Sequence, residues 1–181
     1  MINKIALIVA CLLVVSSAQV TPVPAKHEVS HDYKPHANAY YKIGAPYKKH
    51  GVRYVPKFEP HYVKTGVASW YGPGFHGRKT ANGDIFDAHS FTAAHPTLPL
   101  FSRVWVTNIE TGKKILVTVN DRGPYANHRI IDLSNAAAEA LGYIHKGTAK
   151  VKVEYDAAET ENYLKQIGLI EQYRKKLKIK M

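Results

Sequence analysis

The chain has 181 residues, with 25 lysines and arginines against 14 aspartates and glutamates and a formal net charge of +11 at pH 7. A basic balance of this size admits nucleic acid, an anionic membrane or an acidic polymer as a partner. The single cysteine, Cys11, excludes an intrachain disulfide and leaves the segment that follows it without a thiol nucleophile.

The first 18 residues are typical of a secretory signal peptide. Lys4 precedes an uncharged apolar run, Ile5 to Val15, and the small residues Ser16-Ser17-Ala18 follow it. The run is too short to span a bilayer of about 30 Å as a permanent helix. We therefore predict cleavage after Ala18 and export to the bacterial periplasm or cell envelope, which argues against nucleic acid as the partner.

Cys11 allows a second interpretation of the N-terminus. It follows Ile8-Val9-Ala10, which loosely resembles a lipoprotein cleavage box. Cleavage there would leave an apolar core of Ile5 to Ala10, shorter than the roughly 7 to 15 residues of a signal peptide. We predict a soluble product, with lipoprotein anchoring through Cys11 as the alternative.

The next segment, residues 19–39, is predicted to be a disordered basic linker because it holds too little apolar sequence to form a core. The part of the chain from residue 19 to residue 61 carries five histidines without a repeating spacing, namely His27, His31, His36, His50 and His61. Without an accompanying cysteine, solvated histidines are favoured over a zinc site. We expect no metal and no cofactor.

Residues 40–65 are predicted to form a short β arm. Two segments with aromatic and β-branched residues, Tyr40 to Tyr47 and Val52 to Pro56, flank the polar stretch Lys48 to Gly51. This pattern indicates two short strands joined by a turn, leading into the main domain.

The main domain, residues 66–155, is predicted to be mostly β. Strands are expected at 66–71, 90–94, 103–109, 114–120 and 148–155, with a hairpin turn at 110–112. Ser134 is expected to cap a short helix that runs to Leu141 and ends at Gly142. Many short strands with one small helix in about ninety residues indicate a compact barrel.

The tail, residues 156–181, is predicted to be an amphipathic basic C-terminal helix. Apolar residues recur at helical spacing at Tyr163, Ile167, Ile170, Tyr173 and Leu177. A single apolar stripe usually docks on the protein's own core. A partner or a membrane surface is the alternative, since the last turns are basic.

The most informative motif is Asn120-Asp121-Arg122-Gly123-Pro124, a turn after the apolar run Ile115 to Val119. A carboxylate held where a strand ends is a common feature of active sites. Three further motifs accompany it in the chain: residues 66–72 (GVASWYG), 75–87 (FHGRKTANGDIFD) and 92–99 (TAAHPTLP). The segment Arg129 to Ser134 (RIIDLS) follows it.

In this order the motifs closely resemble the rare lipoprotein A family of septal peptidoglycan lytic transglycosylases, from Gly66 to about Tyr155. The resemblance implies a six-stranded double-psi β-barrel. It also implies endolytic cleavage of peptidoglycan glycan strands, particularly strands without stem peptides, to give 1,6-anhydro ends. The partners it implies are these strands and the cell-division machinery; we expect a monomer that binds no nucleic acid.

The resemblance assigns the catalytic residues as Asp121, His95 and Asp84. Asp121 is the expected general acid and base. A free aspartic acid has a pKa of about 3.9, too low for a good acid at neutral pH, so burial or a second carboxylate must raise it. Asp84 could supply the repulsion and His95 could orient a carboxyl or share its proton. Relatives commonly have glutamate where this chain has Asp84.

The resemblance also assigns a set of substrate-binding residues: Trp70, Tyr71, Arg78, Thr80, Asn82, Asn120 and Arg122. Structural alternatives stay open for several of them. Trp70 and Tyr71 are either core aromatics or stacking platforms for sugar rings. Arg122 either binds sugar or anchors a nearby carboxylate such as Asp132. Asp132 itself is expected to support a turn or the start of a helix.

Two other functions fit the same residues. Plant expansins share the barrel and a similar Trp-Tyr-Gly segment, so a non-catalytic wall-binding protein is one alternative. A glycan hydrolase with Asp121 and Asp84 as its acid and base is the other. The chemistry of newly formed glycan ends distinguishes these functions.

Overall fold

The computed structural model describes residues 33–126 and 128–178. The predicted signal peptide, Cys11 and residues 19–32 of the predicted linker lie outside these ranges. Within these ranges, six strands form a closed barrel, a two-stranded hairpin precedes it, and two of the three helices follow it.

The barrel strands are β3 (Val63–Trp70), β4 (Thr92–Ala94), β5 (Arg103–Asn108), β6 (Lys114–Asp121), β7 (Arg129–Leu133) and β8 (Thr148–Tyr155). They close in the order β3-β7-β4-β6-β5-β8. The pairs β3–β7 and β4–β6 are parallel and the other four are antiparallel. The predicted six-stranded double-psi barrel is confirmed, and β7 is the strand that the periodicity did not predict.

The barrel core follows from the alternation of side chains along three of its strands, β5, β6 and β8. Because successive side chains of a strand point to opposite faces, every second residue of β5, β6 and β8 points inward. Six of these inward residues are completely buried valines: Val104, Val106, Val117, Val119, Val151 and Val153. The helix α1 (Asn135–Ala140) adds Ala137 and Ala138 to the core, and the Ser134 hydroxyl caps it by accepting a hydrogen bond from the Ala137 amide at 3.3 Å.

The predicted β arm contains a hairpin of β1 (Tyr47–Lys49) and β2 (Val52–Tyr54). His50 and Gly51 form its two-residue turn with φ values of 48° and 78°. Positive φ at both positions matches the twist of the flanking strands. The Tyr47 hydroxyl donates to the Pro96 carbonyl at 2.8 Å, which fixes the hairpin against the barrel.

Residues 33–39, the end of the predicted disordered linker, pack against the barrel and the C-terminal helices. Tyr33 is buried, and its carbonyl accepts a hydrogen bond from the Tyr163 hydroxyl at 2.8 Å. Two residues beyond the segment, the Tyr41 amide donates to the Gln172 side chain at 3.0 Å. The composition of the segment did not reveal these contacts, because its partners, among them Asp84 and Tyr163, are distant in sequence.

The tail forms two helices, α2 (Ala157–Gln166) and α3 (Ile170–Leu177), where the sequence predicted one. Gly168 lies between them with φ of 74°, a left-handed conformation that ends a helix. Tyr163, Leu164 and Tyr173 are buried in the core, as docking on the protein's own core requires. No helix in the described ranges is long and apolar enough to cross a membrane.

Candidate active site

The carboxylate of Asp121 stands at the end of β6 and accepts three hydrogen bonds. Its Oδ1 accepts from the backbone N–H groups of Ala81 and Arg122, both at 2.8 Å. Its Oδ2 accepts from the Tyr71 hydroxyl at 2.9 Å. Asp121 is half-buried. A partly exposed carboxylate with one oxygen fixed by the backbone can present the other oxygen to a bound molecule.

The loop that carries Ala81 is held by its own buried polar side chains. The Thr80 hydroxyl bonds to the Asn82 side-chain carbonyl, and the Asn82 amide donates to Oδ2 of Asp84 at 2.7 Å. The Asn82 backbone N–H donates to the Asn120 carbonyl at 3.3 Å, which ties the loop to β6. Thr80 and Asn82 thereby position the Ala81 N–H on Asp121.

Tyr71 continues β3 and brings a neutral hydroxyl to Asp121. Burial, with the Asp121 carboxylate adding to it, raises the pKa of Tyr71 far above its usual value. Its ring packs against Phe86 at 4.3 Å and Phe75 at 5.5 Å between ring centroids. Tyr71 is therefore a protonated hydrogen-bond donor held in place by aromatic contacts.

A second carboxylate, Asp132, lies two strands away from Asp121. Ala94 on β4 is the register partner of both residues, with Asp121 on β6 and Asp132 on β7. Two strand spacings put the two Cα atoms about 10 Å apart. The sequence predicts that Asp132 supports a turn or the start of a helix; the strand register that brings it toward Asp121 is not visible from spacing along the chain.

Asp132 is embedded in a polar network of its own. The Ser69 hydroxyl donates to its Oδ1, and the Arg129 guanidinium lies 3.6 Å from the same oxygen. Burial raises the pKa of Asp132; Ser69 and Arg129 oppose this rise, whereas the charge of Asp121 reinforces it. The two carboxylates are therefore close enough for the charge of Asp121 to act on Asp132.

Asp84 is almost fully buried and faces the N-terminal segment. Its Oδ1 accepts from the His36 backbone N–H at 2.8 Å, and its Oδ2 accepts from Asn82 at 2.7 Å. Burial raises the pKa of Asp84, and the His36 bond partly offsets that effect. Both oxygens of Asp84 thus have partners other than Asp121.

His95 is beside Asp121 through its backbone, not through its ring. Its backbone N–H donates to the Asp121 carbonyl at 3.1 Å. Ring atom Nδ1 accepts from the Thr97 and Leu98 N–H groups, at 3.2 and 2.9 Å. A neutral ring then carries its proton on Nε2, which lies 2.8 Å from the Tyr62 hydroxyl.

The protonation state of His95 follows from the same environment. The residue is 1% exposed, and burial lowers its pKa from 6.5 to about 3, with the positive charges of Arg122 and Lys64 adding to the effect. Both ring nitrogens are engaged elsewhere, so in this structure the ring orients neither Asp121 nor Asp84.

Arg122 is fully engaged by backbone carbonyl groups. Its guanidinium donates to the carbonyls of His95, Leu98 and Ile43 at 3.2, 2.7 and 2.7 Å. These bonds join the β arm to the segment after β4. Of the two alternatives for Arg122, the structure favours an anchoring role, with backbone carbonyls rather than a carboxylate as the partners.

The other predicted substrate contacts differ in exposure. Trp70 packs against the core and donates from Nε1 to the Ile144 carbonyl at 3.1 Å, which favours the core alternative. Arg78 is exposed, with its guanidinium 5.3 Å from the centre of the Phe75 ring. The Asn120 amide is buried, and neither its nitrogen nor its oxygen has a hydrogen-bond partner among the described residues.

Within the described residues, no group of three or more histidine, cysteine, aspartate or glutamate side chains is arranged to hold a metal ion. The chemistry that the arrangement supports is proton transfer through Oδ2 of Asp121, with Tyr71 as its neighbour.

A family model and two named relatives place the chain in the same family. A family model described as lytic transglycolase matches residues 63–153. A protein named endolytic peptidoglycan transglycosylase RlpA from Rickettsia bellii is 48% identical over 161 residues, which are 84% of this chain and 70% of that protein. Its namesake from Rickettsia felis is 45% identical over 178 residues, 93% of this chain and 78% of that protein. Among solved structures, a Streptomyces papain inhibitor aligns with a TM-score of 0.46 and 25% identity, covering 55% of this chain and 98% of that one.

Proposed function

This chain belongs to the lytic transglycolase family, and we propose on that basis that it is an endolytic peptidoglycan lytic transglycosylase. It cleaves the glycosidic bond between N-acetylmuramic acid and N-acetylglucosamine within a strand and leaves 1,6-anhydro ends. Strands stripped of stem peptides are the proposed substrate. The observation that carries the chemistry is the pair of N–H donors on Oδ1 of Asp121.

The proposed mechanism uses Asp121 first as an acid and then as a base. Because two backbone N–H groups occupy Oδ1, the transferable proton resides on Oδ2. Oδ2 gives this proton to the glycosidic oxygen as the bond to the muramyl anomeric carbon breaks. The muramyl 6-hydroxyl then closes on that carbon and returns its proton to Oδ2. No water is consumed, and the enzyme ends in its starting protonation state.

Tyr71 and Asp132 are the proposed supporting groups. The Tyr71 hydroxyl donates to Oδ2, which fixes the orientation of the carboxyl group and leaves the proton on Oδ2 free to reach the glycosidic oxygen. Asp132 adds negative charge across Ala94, which stabilises the positive charge that develops on the sugar. Asp132, rather than the predicted Asp84, is thus the proposed second carboxylate beside Asp121, and the support is its register.

His95 and Asp84, the other two predicted catalytic residues, are proposed to act by positioning. His95 holds the segment after β4 through Nδ1 and supports the Asp121 backbone. Asp84 fixes Asn82, on the loop whose Ala81 N–H binds Asp121. Both residues therefore act on the geometry of Asp121 without touching the substrate.

Exposed Arg78 and half-buried Tyr71 are proposed to contact the sugar directly, and the unpaired Asn120 amide is proposed to gain a partner when the strand binds. A buried amide without a partner is costly, so a ligand hydroxyl would find a ready hydrogen-bonding group there.

The cellular setting is also a proposal. The peptidoglycan wall lies outside the cytoplasm, and the signal-like residues 1–18 support export to the periplasm. Anchoring through Cys11 is the alternative to a soluble form. We also propose that the protein is a monomer and that it contacts the cell-division machinery.

Mass analysis of the glycan ends tests the proposal. Purified glycan strands incubated with the protein should gain anhydromuramyl ends. Because the ring closure adds no water, each such product is about 18 mass units lighter than the corresponding hydrolytic product. New reducing ends would instead show a hydrolase. An absence of new ends from folded, strand-binding protein would show a wall-binding protein without catalysis.

A further inference from the structure

The hairpin β1–β2 and the residue Tyr125 form an aromatic surface next to the candidate active site. The rings of Tyr47 and Tyr54 stack with centroids 5.2 Å apart and planes 19° apart. The Tyr125 ring meets both edge-on, at 6.2 and 5.7 Å. All three residues are half-buried, so each retains accessible ring area. We call Tyr47, Tyr54 and Tyr125 the tyrosine cluster.

The tyrosine cluster is held close to Asp121. Tyr125 follows Asp121 by four residues; burial raises the pKa of Tyr125 and the charge of Asp121 raises it further. The Tyr47 hydroxyl donates to the Pro96 carbonyl, and Arg122 donates to the Ile43 carbonyl just before β1. These bonds fix the cluster beside the end of β6, where Asp121 lies.

The hairpin carries positive charge and holds no acidic residue of its own. Residues 33–58 contain six lysines and arginines and no aspartate or glutamate. Lys48 and Arg53 are register partners, so two like charges lie directly opposite each other. Such a pair destabilises a hairpin in isolation. Lys49 reaches over the Tyr125 ring, with its ammonium 5.8 Å from the ring centre.

Some lysines elsewhere in the protein are arranged differently. Lys114, Lys146 and Lys152 each lie within 4 Å of a glutamate carboxylate, at 3.9, 2.7 and 3.1 Å. Lys48, Lys49 and Arg53 form no ion pair with any described residue. A fixed aromatic surface next to unpaired cations suits a ligand that has sugar rings and carboxylates together.

We propose that the tyrosine cluster with Lys48, Lys49 and Arg53 is a subsite for the carboxylate-bearing part of the glycan strand beside the scissile bond. The inference rests on the proposed function and extends it, because it says which chemical feature of the strand is bound outside the barrel. Tyrosine rings stack on the C–H faces of sugar rings, and the cations pair with carboxylates.

The carboxylates of such a strand come from two sources. In strands stripped of stem peptides, the lactyl group of each muramic acid ends in a free carboxylate. In strands that keep their peptides, the lactyl group is an amide and the carboxylates belong to the peptide. The cations would recognise a carboxylate from either source. Comparing binding of stripped and peptide-bearing strands identifies which carboxylate is bound.

Binding is measured with the full chain carrying Asp121→Asn, which retains the shape of the carboxyl group and prevents turnover. The test variant adds Lys48→Gln, Lys49→Gln and Arg53→Gln. The matched control adds Lys165→Gln, Lys175→Gln and Lys176→Gln, three exposed positions on α2 and α3 with the same change in charge. The glycan ligands are stripped strands, peptide-bearing strands, and chitin oligosaccharides, which have a similar backbone without carboxylates. Vesicles of phosphatidylglycerol serve as the membrane probe.

The test variant should bind at least one kind of carboxylate-bearing strand about fivefold to tenfold more weakly at low salt, as expected for three exposed ion pairs. Its affinity for chitin oligosaccharides should be unchanged, and the control should change less than twofold on all ligands. Tyr54→Ala should weaken binding of all three ligands, whereas Tyr54→Phe should not, because the ring and not the hydroxyl group stacks on sugar.

Three results would overturn the proposal. Equal losses in the test and control variants would mean that overall charge, not the hairpin, attracts the strand. Unchanged binding of both kinds of strand by the test variant would remove the subsite. A loss confined to vesicles of phosphatidylglycerol would assign the hairpin to a membrane surface. These binding results do not depend on turnover, so they are separate from a failure to form anhydro ends, which would overturn the proposed function.

Discussion

The hydroxyl group of Tyr71 donates a 2.9 Å hydrogen bond to Oδ2 of Asp121, across fifty residues of sequence. Two backbone N–H groups already occupy the other carboxylate oxygen. This relationship determines which oxygen can exchange a proton with a ligand and makes Tyr71 the side chain that directs it.

Tyr71→Phe should therefore lower kcat about tenfold to a hundredfold with a smaller change in KM. The substitution removes a hydrogen bond to a charged group, worth about 1.5 to 3 kcal/mol, and keeps the ring contacts with Phe75 and Phe86. Initial rates of anhydro-end formation measure the effect, with the melting temperature as the control for folding. An increase in KM alone would assign Tyr71 to substrate binding.

The fold was predictable from the sequence where the pattern is local. Strands β5, β6 and β8 alternate apolar and polar residues, and the structure has them within a residue of the predicted bounds. Strand β7 was not predicted because Asp132 interrupts its short apolar run, and its pairing with β3 and β4 depends on distant segments. The predicted C-terminal helix is two helices because Gly168 adopts a left-handed conformation.

The site was predictable in part. A strand that ends in Asn-Asp-Arg-Gly-Pro predicts a carboxylate at a strand end, and Asp121 lies there. The partners of that carboxylate were not predictable, since Tyr71 and Ala81 reach it through the barrel closure. The same holds for His36 and Asp84, which are 48 residues apart in sequence and joined by one hydrogen bond.

His95 should make the stability of the protein depend on pH. Its pKa is about 3 in the folded chain and 6.5 as its ordinary value, so between these values the unfolded chain binds a proton that the folded chain does not. Stability is therefore complete above pH 6.5 and is lost as the pH falls. One such histidine lowers the free energy of unfolding by about 2 kcal/mol between pH 6.5 and pH 5.

The measurement is urea unfolding of the wild type and of His95→Asn at several pH values. Asparagine preserves an acceptor for the Leu98 N–H and cannot titrate. The stability difference in favour of the wild type should shrink as the pH falls. Parallel curves for the two proteins would contradict a buried neutral histidine.

Arg122→Lys should destabilise the fold by about 2 to 4 kcal/mol. A lysine ammonium cannot reproduce the planar fork that donates to three carbonyl groups, so buried acceptors lose their partners. The exposed Arg78→Lys is the matched control and should change stability by less than about 0.5 kcal/mol. Chemical denaturation gives both values. Similar stabilities for the two variants would contradict the anchoring role of Arg122 and favour the alternative, sugar binding.

Tyr33→Phe and Asp84→Asn test how the N-terminal segment is held. Tyr33→Phe removes the acceptor of the Asn82 amide, and Asp84→Asn replaces the carboxylate that accepts from Asn82 and His36. Each change should cost about 1 to 3 kcal/mol. Because both act through Asn82, the double variant should lose less than the sum of the two. Strict additivity in denaturation experiments would show that the contacts are independent.

The proton transfer assigned to Asp121 is tested most directly by Asp121→Asn. The variant should bind stripped glycan strands as the wild type does and retain its melting temperature. Its rate of anhydromuramyl-end formation, counted by mass spectrometry, should fall by at least about 10² to 10⁴, the range for loss of a general acid and base. A folded Asp121→Asn protein that forms anhydromuramyl ends at close to the wild-type rate would contradict the account.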